Sequence, residues 1–203
     1  QFGVPVENVL VAATGVIGRP VPFEKIEEAM PEMTLSDGSD ADDQVAKAIL
    51  TTDTFAKQAA LSLTSEFWQG ELKIGGVSKG SGMIAPNMAT TLCFLTTDAQ
   101  IEAEPLQKAM SLAMDRSFNR LTVDGDTSTN DMALILASGA GSAQIPGEGP
   151  AYEAFCDALE QVCAKLARMV AQDGEGATKL IEITVLLPTG PGTDTKSFST
   201  IVA

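Results

Sequence analysis

KGSGMIAPNMATTLCFLTTDA, running from Lys79 to Ala99, changes character partway along. Its second half, Thr91 to Thr97, is β-branched and aromatic and predicts a strand. Gly75 to Asn87 is rich in Gly, Ser and Pro and predicts a loop. Between them lie a Pro86-Asn87 turn and the junction of Ala89 with Thr90. A tight turn can hold the Ala89 carbonyl in a strained position against the Thr90 hydroxyl. Attack by that hydroxyl would convert the amide to an ester, and water would then release a new N-terminal threonine. The freed amine, with a reference pKa of about 7.7–8.0, would serve as base for its own side-chain hydroxyl. The plainer reading is a glycine-rich surface loop before an ordinary strand, and composition by itself favours it.

Outward from this stretch, periodicity supplies the remaining elements. Val9 to Ala13 predicts a buried strand running into a Thr14-Gly15 turn. Phe23 to Met30 and Asp42 to Leu50 predict short helices, and Phe67 to Ile74 a strand. Pro105 to Phe118 predicts a helix with Leu106, Met110, Ala113 and Met114 on one face. Leu121 to Val123 and Met132 to Ala137 are strand-like. The longest helix predicted is Ala151 to Gln172, where Phe155, Leu159, Val162, Leu166 and Val170 form one apolar stripe. Leu180 to Leu187 predicts a last strand, and from Pro188 the sequence is linker-like. Strands interleaved with helices predict a layered α/β fold.

Composition excludes several function classes. The 203 residues carry a net charge of −14 without a Lys/Arg cluster, so nucleic acid is not an expected partner. The longest strictly apolar run, Met132 to Ala137, is far too short to span a bilayer, so no membrane partner is expected. Cys93, Cys156 and Cys163 lack metal-ligand spacing and read as small buried residues. The chain contains no histidine, which removes Ser-His-Asp and Cys-His mechanisms and the usual neutral-pH base. A nucleophilic enzyme built from this chain needs a lysine, a carboxylate or a terminal amine in that role. Asp124, Asp126 and Asp131 suggest a calcium loop, but its sixth position is Thr129 rather than Gly and its twelfth Ile135 rather than Glu.

The Lys79 to Ala99 run resembles the self-cleavage region of the ornithine acetyltransferase family, the bifunctional glutamate N-acetyltransferases of arginine biosynthesis. VAATGVIGRP (Val11 to Pro20), FNRLTVDGDTSTND (Phe118 to Asp131) and DGEGATKL (Asp173 to Leu180) agree with it in order and spacing. The resemblance spans Val4 to Val185. It implies an α/β/β/α sandwich of the ornithine acetyltransferase and self-processing aminopeptidase type. It also implies cleavage between Ala89 and Thr90 into two pieces. Residues 1–89 would be the C-terminal part of the α piece and 90–187 the N-terminal part of the β piece, with 188–203 a linker-like tail.

Residue by residue, the resemblance makes Thr90 the nucleophile and Thr14 and Gly15 the oxyanion donors. Thr52, Lys79, Thr90 and Glu175 become substrate contacts. Lys79 would pair a substrate carboxylate and Glu175 would receive an amino group. The implied reaction is ping-pong transfer of acetyl from N-acetylornithine to glutamate through an acetyl-threonine ester, with no cofactor and no metal. Some family members also take acetyl-CoA as donor. The expected assembly is α₂β₂, in the cytoplasm or, for a eukaryotic source, the mitochondrion.

Two features depart from the family pattern. Thr91 stands where methionine is usual, and family members are longer, with a C-terminal lobe that completes the substrate pocket and has no counterpart in Pro188 to Ala203. A related self-processing aminopeptidase and an inactive truncated remnant are therefore the alternatives.

Overall fold

The computed structural model describes residues 3–35, 38, 40–87, 91–187 and 196–202. Two short helices come first, α1 (Phe23–Ala29) and α2 (Ala41–Ala48). The antiparallel strands β1 (Lys57–Thr64), β2 (Glu71–Lys79) and β3 (Leu92–Thr97) follow. A crossover through α3 (Ala103–Arg116) and the two-residue β4 (Leu121–Thr122) returns the chain to β5 (Met132–Ala137), parallel to β3. The long α4 (Pro150–Gln172) leads into β6 (Ile181–Leu187) and β7 (Lys196–Val202). One sheet has the order β1-β2-β3-β5 and a second has β4-β7-β6. This is the mixed α/β architecture expected.

The core lies where α4 packs on β1 and β2 while α3 packs on α4. The α4 stripe is buried as its spacing predicts: Phe155, Leu159, Leu166 and Val170 are 0% exposed and Val162 is 2% exposed. Pro150 opens that helix at a position whose missing N–H would have no intrahelical partner. Ala59 on β1, Leu72 and Ile74 on β2, and Cys93 and Leu95 on β3 complete the same cluster. The register explains their meeting: Gly76 lies between Ala59 and Leu95, and alternate residues share one face. The three cysteines are free and buried, as expected.

Several expectations need correction. The strand predicted for Phe67 to Ile74 begins instead at Glu71 and runs through Gly75 and Gly76 to Lys79, where a loop was expected. Pairing on both edges overrides the low strand preference of glycine, and a close approach requires it at one position. A Cβ on Gly76 would lie 2.8 Å from the Phe94 carbonyl oxygen and 2.5 Å from Leu95 Cδ2. β1 is absent from the expected strands because Ala and Ser carry little strand preference, although Ala59, Leu61 and Leu63 alternate inward.

Val9 to Ala13 is not a buried strand. No described strand pairs with it, and Val9, Leu10 and Val11 are 52%, 59% and 78% exposed. The linker-like reading of the tail is corrected over Lys196–Val202, which pairs antiparallel with β6 and parallel with β4. Within the described residues no helix is long and apolar enough to cross a membrane.

Candidate active site

Strand register gathers the predicted site residues at one end of the first sheet. Lys57 at the start of β1 faces Ser78, Lys79 at the end of β2 faces Leu92, and Leu92 at the start of β3 faces Met132. The segments outside these strand ends, Thr51–Asp53, Gly80–Gly82, Thr91 and Asp131, therefore converge. The end of α4 brings Asp173 to Glu175 to the same place, with the Glu175 N–H donating to the Ser81 carbonyl at 2.7 Å.

Lys79 is the last residue of β2 and is 1% exposed, so it is not a solvated loop lysine. Its ammonium donates to Thr14 Oγ1 at 3.0 Å, joining two residues 65 positions apart that the resemblance nominated from separate motifs. Burial pushes the Lys79 pKa down, while the negative charges of Asp53 and Asp131 pull it back up and Lys57 lowers it further. Burial also raises the Asp131 carboxyl, against the opposing effects of the Thr91 N–H and the Lys79 charge.

The other nominated residues meet around Ser81. Thr52 Oγ1 and Ser81 Oγ are 2.6 Å apart. Glu175 lies over Gly82, where an added Cβ would come within 2.7 Å of Oε2. A side chain at Gly82 would move this exposed carboxylate off the loop. Thr14 thus joins Lys79, and Thr52 and Glu175 join Ser81. Gly15 follows Thr14 and is exposed, but the turn expected at this pair falls later, at residues 17–19, where the Arg19 N–H donates to the Val16 carbonyl. Ala89 and Thr90, the expected cleavage pair and nucleophile, lie outside the described residues. Their neighbour Thr91 is 2% exposed, with its N–H donating to Asp131 Oδ1 at 2.7 Å.

The described part of the loop after Lys79, residues 80–87, is held by Asp124. Its carboxylate accepts the N–H of Met83 at 2.6 Å and of Ile84 at 2.9 Å, and that of Asp126 at 3.1 Å. These bonds outweigh burial and hold the Asp124 carboxyl below its usual range. Met83 and Asn87 take positive φ values of 54° and 71°. Asparagine tolerates that region, whereas Met83 is strained there, a cost of order 1–3 kcal/mol that the clamp must offset. The acidic segment that suggested calcium thus engages backbone amides.

Beneath the site lies an ion triad that sequence reasoning missed. Lys57 Nζ is 2.6 Å from Asp53 Oδ1 and 2.6 Å from Asp173 Oδ2, and all three side chains are at most 2% exposed. Burial works to raise both aspartates. Hydrogen bonds from Lys57 and backbone amides outweigh it and hold both below the ordinary value. The four-residue spacing of Asp53 and Lys57 was the available signal, but nothing in it points to Asp173. A cavity of 670 Å³ at the far end of the sheet, lined by Ala99, Gln100, Ser138 and Gln144 among others, contains none of these residues.

This constellation joins a buried lysine to a hydroxyl and places a glutamate over a glycine loop beside a strand-opening threonine. Its four sequence motifs match one family. The ArgJ family model matches residues 1–196. The chain belongs to the ArgJ family. It is 50% identical over 185 residues to the arginine biosynthesis bifunctional protein ArgJ of Symbiobacterium thermophilum, and 48% identical over 186 residues to that of Listeria monocytogenes. Each match covers 91% of this chain and 46% of the relative, so the chain spans about half the length of the curated relatives it matches. The crystal structure of ArgJ from Bacillus halodurans shares 51% identity, with a TM-score of 0.43 and coverage of 46% of this chain and 44% of that one.

Proposed function

We propose that the chain is the nucleophile-bearing portion of an ArgJ-type acetyltransferase of arginine biosynthesis. It cleaves its own Ala89–Thr90 bond and moves acetyl from N-acetylornithine to glutamate. The observation that carries the reading is the Lys79–Thr14 contact. It brings the expected carboxylate-binding cation and the expected oxyanion donor together at the strand end that Thr91 leads into.

In this reading the Thr90 hydroxyl adds to the Ala89 carbonyl, and the C–N bond breaks as the peptide shifts to an ester. Water hydrolyses the ester and frees the Thr90 amine. That amine then takes the hydroxyl proton as Thr90 Oγ attacks the acetyl carbonyl of N-acetylornithine. The tetrahedral oxyanion is met by the Thr14 hydroxyl and the Gly15 N–H. Because Thr14 Oγ1 accepts from Lys79, its own proton is directed elsewhere and serves as a donor. One such donor is worth roughly 2.7–4 kcal/mol in a well-studied hydrolase. Ornithine leaves with the proton, and the glutamate amine attacks the acetyl-Thr90 ester to regenerate the hydroxyl.

Lys79 pairs a substrate carboxylate, while Glu175, with Thr52 beside it, receives an amino group. Acetyl-CoA remains a second donor within the same chemistry, which needs no cofactor or metal. The cleaved pieces assemble as α₂β₂ in the cytoplasm. Electrophoresis and intact mass after expression test the first step. Two pieces, residues 1–89 and 90–203, are expected, with Thr90→Ala staying whole. A native chain that remains a single band like Thr90→Ala overturns the self-cleavage reading. The second step is read as N-acetylglutamate formed from N-acetylornithine and glutamate.

A further inference from the structure

The Asp53–Lys57–Asp173 triad is fully accounted for in hydrogen bonds, and its bonds reach the segments that carry three of the nominated substrate contacts, Thr52, Lys79 and Glu175. The three protons of Lys57 Nζ meet Asp53 Oδ1 at 2.6 Å, Asp173 Oδ2 at 2.6 Å and the Phe55 carbonyl at 3.3 Å. Asp53 Oδ1 also accepts the Gly80 N–H at 2.7 Å, and its Oδ2 accepts the Thr51 N–H at 3.2 Å. Asp173 accepts the Thr54 N–H on both oxygens, at 3.2 and 2.9 Å, and the Thr54 hydroxyl on Oδ1. Thr52 lies between the amides of Thr51 and Thr54, Lys79 directly precedes Gly80, and Glu175 follows Asp173 by two residues.

We infer that this triad is the positioning device of the site, tying the Thr51–Thr54, Lys79–Ser81 and Asp173–Glu175 segments into one register through Lys57. The inference rests on the function proposed above for the identity of those segments as substrate contacts. The physical ground is that a buried ion pair is weak evidence of a stabilising device, because apolar replacements of similar volume are often as stable. Fixed registry is the best-attested use of buried charge. Here the charges act where three stretches at and beyond the strand ends must meet. Lys57 reaches both carboxylates, so the Gly80 amide, held by Asp53, is linked to Asp173, which it does not touch.

That linkage is the testable content. In the full chain, Asp173→Asn weakens the Lys57 bridge without touching Gly80, and Lys57→Met removes the bridge itself, which bonds neither the Gly80 nor the Thr54 amide. Hydrogen exchange resolved to single amides should show Gly80 exchanging about ten-fold faster in Asp173→Asn. Gly80 and Thr54 should both do the same in Lys57→Met, while core amides such as those of Leu72 and Ile74 keep their protection. Loosening confined to the substituted residue's own partners overturns the positioning role, as does uniform loosening of the whole sheet. If one variant fails to fold, the other decides. In the acetyl-transfer assay both variants should raise KM about ten-fold with a smaller change in kcat, whereas a purely structural role lowers the melting temperature and leaves KM unchanged. An unsubstituted chain that transfers no acetyl counts against the function reading alone, because the exchange result judges the tie separately.

Discussion

Gly75 and Gly76 sit side by side in β2, yet alanine at each should have opposite effects. An added Cβ on Gly75 finds Ala60 Cβ at 3.7 Å and the Ala59 carbonyl at 3.9 Å, which are ordinary contacts. On Gly76 it finds Leu95 Cδ2 at 2.5 Å and the Phe94 carbonyl oxygen at 2.8 Å. Carbon atoms pack best at about 3.5–4.0 Å, so the first contact is short by about 1 Å. Leu95 is 1% exposed and has nowhere to turn, and the carbonyl belongs to the neighbouring strand. Overpacking of this kind costs about 1–3 kcal/mol. Replacing glycine by alanine at a compatible site gains about 0.4–1 kcal/mol by restricting the unfolded chain. The expected net result is a loss of about 1–2 kcal/mol for Gly76→Ala and a gain of about 0.4–1 kcal/mol for Gly75→Ala. At about 2–4 °C per kcal/mol for a domain of this size, Tm falls by about 2–8 °C in the first and rises by about 1–4 °C in the second. Thermal melts followed by circular dichroism read both. Equal shifts of the same sign would refute the close β2–β3 approach, and with it the strand geometry that delivers Lys79 to the site.

Three further outcomes follow from the same structure. Gly82→Ala should push the Glu175 carboxylate off the loop, since the new Cβ would lie 2.7 Å from Oε2; we expect about a ten-fold rise in KM with little loss of stability. An unchanged KM in steady-state kinetics would remove Glu175 from the substrate site. The Asp53 and Asp173 carboxyls are held below their ordinary value. The stability they contribute is therefore fully present above about pH 3.9 and lost as pH falls through their depressed folded values. Urea melts of Asp53→Asn and Asp173→Asn should lose less stability than the native chain between pH 5 and pH 2, and slopes matching the native chain would contradict this. Leu159→Ala, at a position 0% exposed, should cost about 2–5 kcal/mol, whereas Leu10→Ala, at a position 59% exposed, should stay within about 0.5 kcal/mol. Similar losses in a denaturant titration would show that the α4 stripe is not the core.

Elements with a strong local period were legible without coordinates. The α4 stripe and the Met132–Ala137 strand lie where their spacing put them, because each buries one face along its own length. The glycine-bearing end of β2 was misread because its pairing partners, not its residues, make it a strand. Val9 to Ala13 was misread for the converse reason: an apolar run becomes a strand only where a neighbour pairs with it. The site residues were nominated through the resemblance, which rests on the order and spacing of four motifs in the sequence. Their partners were not. Asp131 read only as part of a calcium loop that fails and Ser81 only as part of a glycine-rich loop, and the triad joins positions 53, 57 and 173.

By itself, the sequence determined the α/β class, the helical core face, the family and the nominated residues Thr14, Thr52, Lys79 and Glu175. It also required a base other than histidine. Only the tertiary structure decided that Lys79 is buried against Thr14, that Glu175 overlies Gly82, and that a lysine bridging two aspartates ties the surrounding segments together. The physical reason is range. Periodicity and turn chemistry act over a few residues, whereas desolvation and ion pairing depend on which distant segments the fold brings within hydrogen-bonding distance.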